Sequence, residues 1–146
     1  MNIIELVKSI LQSFPKIGQL IHVDYNESTT DEFGLYPTGD TLIKEDILGN
    51  QKRKHNFILY AVFQSFNDYD RLMNSGTLLE LQMWLEKQAN NQEVSITVDT
   101  ETRTGKLTKL TCANGMLYNI PDNNTNSGVQ YQLQITAEYT IEREDF

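Results

Sequence analysis

Apolar and polar residues alternate without a break from Val129 to Glu142. Val129, Tyr131, Leu133, Ile135, Ala137, Tyr139 and Ile141 share one side, and Gln130, Gln132, Gln134, Thr136, Glu138, Thr140 and Glu142 the other. Period-two alternation is the mark of a strand with one dry and one wet face. At ~3.4 Å per residue this run spans roughly 45 Å. A compact domain of this length has a radius of gyration of about 15 Å. The strand is therefore expected to bend or to overhang, and an overhanging strand offers unpaired backbone groups to a neighbour.

The rest of the chain, taken in order, alternates helical and strand periods. Ile3, Val7, Ile10 and Phe14, flanked by Ile4 and Leu11, predict an amphipathic helix over residues 2–14 that Pro15 helps to end. Gln19–Tyr25 reads as a short strand, followed by a polar, acidic loop from Asp24 to Gly34. Leu35–Asp40 is rich in turn formers, Thr41–Ile43 is a short strand, and Lys44–Gln51 turns at Gly49-Asn50. The basic run Lys52-Arg53-Lys54-His55 reads as a guard at the start of a hydrophobic strand.

That strand, Asn56–Phe66, is apolar on both faces: Phe57, Leu59, Ala61 and Phe63 on one, Ile58, Tyr60 and Val62 on the other. Such strands are normally covered on both sides. Helices supply one cover, and a further sheet layer or a neighbouring subunit the other. Asn67 or Asp68 caps a helical region reaching about Asn90, with Asn74-Ser75-Gly76 as a possible division. Its stripe is Leu72, Gly76, Leu79 and Met83, widened by Leu78, Leu81, Trp84 and Leu85, with Trp84 as a core anchor. Glu93–Asp99 is a strand and Thr100–Gly105 a polar turn. Lys106–Ala113 and Met116–Ile120 flank Asn114-Gly115, a strong hairpin signal. Pro121–Gly128 is a polar loop, and Arg143–Phe146 a short tail after the long strand. The elements amount to one α+β domain over residues 1–146, a mainly antiparallel sheet with two principal helices packed on it.

Composition changes this picture in four ways. With 39% hydrophobic residues the chain can build a core. A net charge of −8 disfavours gripping nucleic acid, since such grip comes from cations that release phosphate counterions, but an acidic wall leaves passing DNA mobile. No apolar run approaches the ~20 residues of a bilayer span, and Glu5 interrupts the N-terminal apolar stretch, so neither a membrane anchor nor a signal peptide is expected. A single cysteine, Cys112, rules out an internal disulfide and a multi-cysteine zinc site. It sits in a strand, where a buried, inert thiol is expected.

Candidate chemistry is sparse. Asp24-Tyr25-Asn26-Glu27-Ser28 opens like a calcium loop, but Thr29 stands at its sixth position and Leu35 at its twelfth, where glycine and glutamate are needed. No spacing links His22 to His55, and no phosphate loop, nucleophile elbow or zinc-protease motif is present. The chain is expected to have no catalytic residues, no cofactor and no metal.

Several phrases carry a resemblance: Pro37-Thr38-Gly39-Asp40, Ile43-Lys44-Glu45-Asp46-Ile47-Leu48-Gly49, the two-sided strand Asn56–Phe66, Leu81-Gln82-Met83-Trp84-Leu85-Glu86, and Tyr131-Gln132-Leu133-Gln134. In these the chain resembles the tail-terminator (tail-completion, minor capsid-type) proteins of tailed bacteriophages. The acidic loop 24–34 and the Asn-rich loop 121–128 depart from the pattern. The resemblance implies a homo-hexameric ring on the head-proximal end of the tail tube. Such a ring ends tube polymerisation and offers a surface to the neck or connector. It touches the sheath where the tail contracts, with DNA only passing through the lumen. It places the protein in the virion tail or neck, and in the host cytoplasm during assembly, with no membrane partner. A head–tail joining protein and a small ligand-binding α+β module are the alternatives. Interaction residues expected under this picture are Asp24, Glu27, Asp31 and Glu32 in the acidic loop, Asn114 and Gly115 at the hairpin, and Glu138 and Glu142 on the outer half of the last strand.

Overall fold

A computed structural model describes residues 1–14, 21–23, 32–63, 68–119 and 129–142. Helix α1 (Ile3–Gln12) precedes strands β1 (Ile21–Val23), β2 (Glu32–Glu45) and β3 (Gln51–Phe63). Helix α2 (Asp68–Leu85) is followed by β4 (Gln92–Val98), β5 (Glu101–Asn119) and β6 (Val129–Ile141). The strands form one sheet in the order β1-β2-β3-β6-β5-β4. Only the short β1–β2 pair is parallel. The fold is α+β and sheet-dominated.

Period-two alternation decides which sheet face is dry. On β6, Tyr131, Leu133, Ile135, Ala137, Tyr139 and Ile141 are all buried; on β3 the buried set is His55, Phe57, Leu59 and Ala61. Leu35 on β2, Val94 on β4, and Leu107, Leu110 and Cys112 on β5 extend the same face. Ile3, Leu6, Val7, Ile10 and Leu11 of α1 and Leu81 and Leu85 of α2 close over it as one continuous core. Phe14 and Trp84 join the helices, their ring centroids 5.2 Å apart. A capping box starts α1: Asn2 Oδ1 accepts from Glu5 N (2.9 Å) and Glu5 Oε1 from Asn2 N (3.2 Å).

Several expectations change. The final strand does not overhang. β6 is central, paired with β3 from Gln51↔Ile141 to Phe63↔Val129 and with β5 from Leu107↔Tyr139 to Asn119↔Gln130. Its outer half is buried within this chain, and its length is matched by its two partners. Asn114-Gly115 is not a hairpin turn. Both flanking runs pair with the same strand, so β5 continues, and the pair forms a bulge between Ala113↔Gln134 and Met116↔Gln132. Glycine inside a strand marks such a bulge as readily as a turn.

The turn-rich segment Leu35–Asp40 lies within β2, as does Thr41–Ile43, and Lys52–His55 is the first half of β3 rather than a guard before it. The polar turn expected at Thr100–Gly105 is reduced to Asp99-Thr100. There Asp99 takes φ +55°, as tight two-residue turns require of their first central residue. α2 is unbroken at Asn74-Ser75-Gly76. It buries Leu78, Leu81 and Leu85, leaving Leu79 and Met83 of the expected stripe 55% and 59% exposed. The second face of β3 has no second layer among the described residues; Ile58 and Tyr60 are half-buried there, and Tyr60 meets Tyr36 edge to face.

Gly105 lies where the β5 backbone runs close against that of β6. A Cβ there would collide with the Thr140 carbonyl oxygen, whereas one at Gly76 on α2 would meet nothing. Gly105→Ala should lower stability by roughly 2–4 kcal/mol through overpacking against backbone. Gly76→Ala should raise it by about 0.5–1 kcal/mol by restricting the unfolded chain. Urea denaturation of the two variants beside the parent checks both signs.

Candidate functional site

A bulge builds the most developed polar site. β2 runs Leu35↔Leu59 and Pro37↔Phe57, then resumes as Gly39↔Asn56 and Asp40↔His55. Thr38 is the extra residue. It reverses the alternation of β2 and moves Asp40 onto the dry face, directly opposite His55. Gly39 takes φ +145°, a region L residues rarely adopt, which makes glycine the natural residue beside the bulge.

Asp40 is the hub of a four-residue cluster drawn from three strands. Its Oδ1 accepts from Arg53 Nε at 2.6 Å; its Oδ2 accepts from the Tyr139 hydroxyl and faces His55 Nδ1 at 3.0 Å. Arg53 also donates through Nη1 to Gln51 Oε1 (2.9 Å). A carboxylate only accepts, so Nδ1 of His55 carries the proton. His55 is 8% exposed, and its Nε2 has no hydrogen-bond partner among the described residues. Burial pushes the Asp40 carboxyl upward, but hydrogen bonds from Tyr139, Arg53 and His55 more than offset this and hold it below its ordinary value. Burial, reinforced by the Asp40 hydrogen bond and charge, raises the Tyr139 hydroxyl, which stays protonated as the donor. The Asp40 hydrogen bond raises Arg53.

This cluster floors a cavity of about 480 Å³ between the distal sheet and the start of α1. Its apolar wall comes from Ile3 and Ile4 on α1, Ile96 and Val98 on β4, and Ile141 on β6; its polar wall adds Gln51 and Arg103. Arg103 is fixed by donating to the carbonyls of Gly49 (2.7 Å) and Glu142 (3.4 Å). Two guanidinium groups against one carboxylate make the wall net positive in a chain of net charge −8. An oriented imidazole sits beside it, and among the described residues no serine, threonine or cysteine lines the cavity. Cys112 lies elsewhere, under α2, where Gln82 Nε2 donates to its carbonyl (3.1 Å); burial pushes its thiol up to about 12. The geometry is that of a concave pocket with a fixed polar floor.

A second exposed feature closes the β2–β3 hairpin. Asp46 Oδ1 accepts from Leu48 N and Asn50 N, both at 2.9 Å, Asp46 N donates to Asn50 O (2.9 Å), and Gly49 N donates to Asp46 O (3.0 Å). This organised loop holds Ile47 99% and Leu48 58% exposed, and Leu42 and Ile43 behind it are each 45% exposed.

Of the residues expected to mediate interactions, those that are described lie at separate places on the sheet. Asp24, Glu27 and Asp31 lie outside the described residues, as do the loop Pro121–Gly128 and the tail Arg143–Phe146. Glu32 opens β2 opposite Val62, far from the polar cluster along the strand. Asn114 and Gly115 form the β5 bulge, and Glu138 is on the open face, 4.0 Å from both Lys52 and Lys109. Glu142 binds by its backbone, N to Thr104 O (2.7 Å) and O from Arg103. The cluster itself left a faint signal: Arg53 and His55 share the parity of Phe57, so the alternation already places them on the dry face. Asp40 left none, because its parity depends on the bulge.

Among the described residues no three metal-ligating side chains group together, and no helix is long and apolar enough to cross a membrane. No protein-family model matches the chain, and no curated protein matches it.

Asp40→Asn should destabilise the fold by about 1–2 kcal/mol at neutral pH, since three donors lose their charged partner at a partly exposed site. The sign with pH follows from the depressed folded-state pKa. The Asp40 contribution is complete above the unfolded-chain value of about 3.9 and is lost as pH falls through the lower folded value. The gap between parent and variant should therefore narrow only on acidification below about pH 4, as measured by urea unfolding at stepped pH.

Proposed function

We propose that this protein is a structural virion subunit of the tail-terminator type, assembling as a ring on the head-proximal end of a phage tail tube. The ring ends tube growth and presents a surface to the neck. The observation that carries the reading is the organised β2–β3 tip, which exposes Ile47 and Leu48, with Leu42 and Ile43 also exposed on the strand leading to it. Exposed apolar side chains grouped at one place mark an interaction surface. The phrases that carry the resemblance fall on the same arm: Pro37–Asp40 forms its bulge and Ile43–Gly49 its tip.

Other features suit the role. The outer backbone edge of β2 beyond Leu35 meets no further strand among the described residues, nor does that of β4, so both sides of the sheet offer pairing groups to neighbours. A ring needs two different surfaces on each subunit, and these edges differ. The reading takes the tube protein and the neck or connector protein as partners, the sheath where the tail contracts, and DNA as a passing occupant of the lumen. It entails no catalysis. A head–tail joining protein would use the same surfaces. A ligand-binding module is the second reading, and the 480 Å³ cavity favours it.

Light scattering on the concentrated chain and a reconstruction of purified tails test the proposal. The expected results are self-association and a ring at the head-proximal tube end; a strictly monomeric chain absent from that position overturns it. The double variant Ile47→Asp, Leu48→Asp should keep its folding stability within about 0.5 kcal/mol, both sites being exposed. It should also fail to assemble, leaving tubes of uncontrolled length.

A further inference from the structure

The polar side of the distal cavity has its acceptors largely engaged and its donors in surplus. Asp40 accepts from Arg53, Tyr139 and His55, and Gln51 Oε1 accepts from Arg53 Nη1. Asn2 Oδ1 accepts from Glu5 N, and His55 Nε2 is sealed from solvent. A guanidinium, by contrast, carries five N–H donors and no acceptor. Arg103 spends Nε on the Glu142 carbonyl and one N–H of Nη2 on the Gly49 carbonyl. Its Nη1–Nη2 edge keeps a donor on each nitrogen.

Charge follows the same division. Asp40 compensates Arg53, at 2.6 Å. The carbonyls that fix Arg103 are neutral, and none of the ion pairs among the described residues includes it. Glu45, which accepts from Gln51 Nε2, does not line the cavity. Facing this cation is an aliphatic wall in which Ile96 and Val98 share the sheet face of buried Val94 yet stay 42% and 62% exposed.

We propose that the cavity binds a small aliphatic monocarboxylate, its carboxylate on the Nη1–Nη2 edge of Arg103 and its hydrocarbon body on Ile4, Ile96 and Val98. This names a ligand class for the cavity and rests on the ligand-binding reading; the ring reading neither requires nor opposes it.

The class follows from what each wall selects. A guanidinium edge matches a carboxylate through two parallel N–H···O bonds. A cationic ligand would meet the charge of Arg103 and find few open acceptors. An inorganic anion would satisfy Arg103 but leave the aliphatic wall in water, so the ligand needs an apolar body. Two carbonyls already hold Arg103 in place, which lowers the ordering cost of binding. At about 480 Å³ the cavity is of the size that takes small molecules.

The test titrates octanoate, below its micelle concentration, into the full chain and follows the backbone amide resonances by NMR. Acetate and 1-octanol are the controls that carry only the head or only the tail. The expected result is saturable shifts at cavity residues, with octanoate about tenfold or more tighter than either control, as a charge-assisted pair contributes. Arg103→Gln should remove the preference for octanoate over octanol. Because Arg103 also holds two backbone carbonyls, Val98→Asp is the second variant. At an exposed position it should leave urea stability unchanged and weaken octanoate about tenfold by like charge. Octanoate binding unaltered by Val98→Asp overturns the inference, as does acetate binding as tightly, which marks an adventitious ion only. If octanol saturates the cavity as tightly as octanoate or more so, the ligand class is wrong and the ligand-binding reading stands. If none of the three saturates, both fall.

Discussion

Everything in this fold is hung on β6. Like β3 beside it, it is paired on both sides, to β3 and to β5, and its dry residues run from Tyr131 to Ile141 without an exposed member. That burial sets the register of both neighbours. A one-residue slip of β3 would turn Phe57, Leu59 and Ala61 outward and bring Ile58 and Tyr60 inward. The alternation of β6 is the cleaner of the two, with glutamine, threonine or glutamate at every wet position, so it leaves one choice of face. The two-sided strand β3 inherits its orientation from it.

The bulges are where the sheet departs from this rule and acquires specific chemistry. One extra residue at Thr38 carries Asp40 across to the dry face, into reach of Arg53, His55 and Tyr139. Without it, Gly39 would stand opposite His55 and the imidazole would face no acceptor on β2. Three donors around one carboxylate close the distal end of the core with a polar group instead of an apolar one. The extra residue at Thr108 works similarly at the β5–β6 boundary. There side chains continue what the ladder interrupts: the Thr108 hydroxyl donates to Glu138 O (3.1 Å), and Lys106 N donates to Thr140 Oγ1 (3.1 Å).

How much of this could be read from the sequence follows from the same division. Strict periods were legible: α1 with its stop near Pro15, β4, β6, the turn at Gly49-Asn50, and Trp84 against the core. Local turn chemistry misled where a glycine could serve either a turn or a bulge. Asn114-Gly115 and Pro37-Thr38-Gly39 have the composition of turns, and only the pairing of their flanks with one and the same strand makes them bulges. The candidate site was legible by half. Arg53, His55 and Tyr139 lie on the dry parity, whereas Asp40 reaches it through a count that sequence periodicity does not contain. On α2 the stripe Leu79–Met83 was a fair reading of spacing, but the face chosen for burial is set by where β5 lies beneath the helix. Leu78, Leu81 and Leu85 won that choice.

The electrostatics of the chain bear on how partners can approach it. A uniformly acidic surface keeps monomers apart and soluble, which opposes assembly. Here the negative charge is uneven. Arg53 and Arg103 are held in fixed positions by Asp40, Gln51 and two backbone carbonyls, and they make one concave region basic. Long-range repulsion between net-negative molecules is weakest for approaches that face that region. Specificity of this kind is a difference between orientations rather than a gain in raw affinity. It is also a property that the proposed ring would need. Weak joints that tolerate one orientation stay open in dilute solution and close only when a template gathers several copies, which is when closure repays the entropy of ordering them.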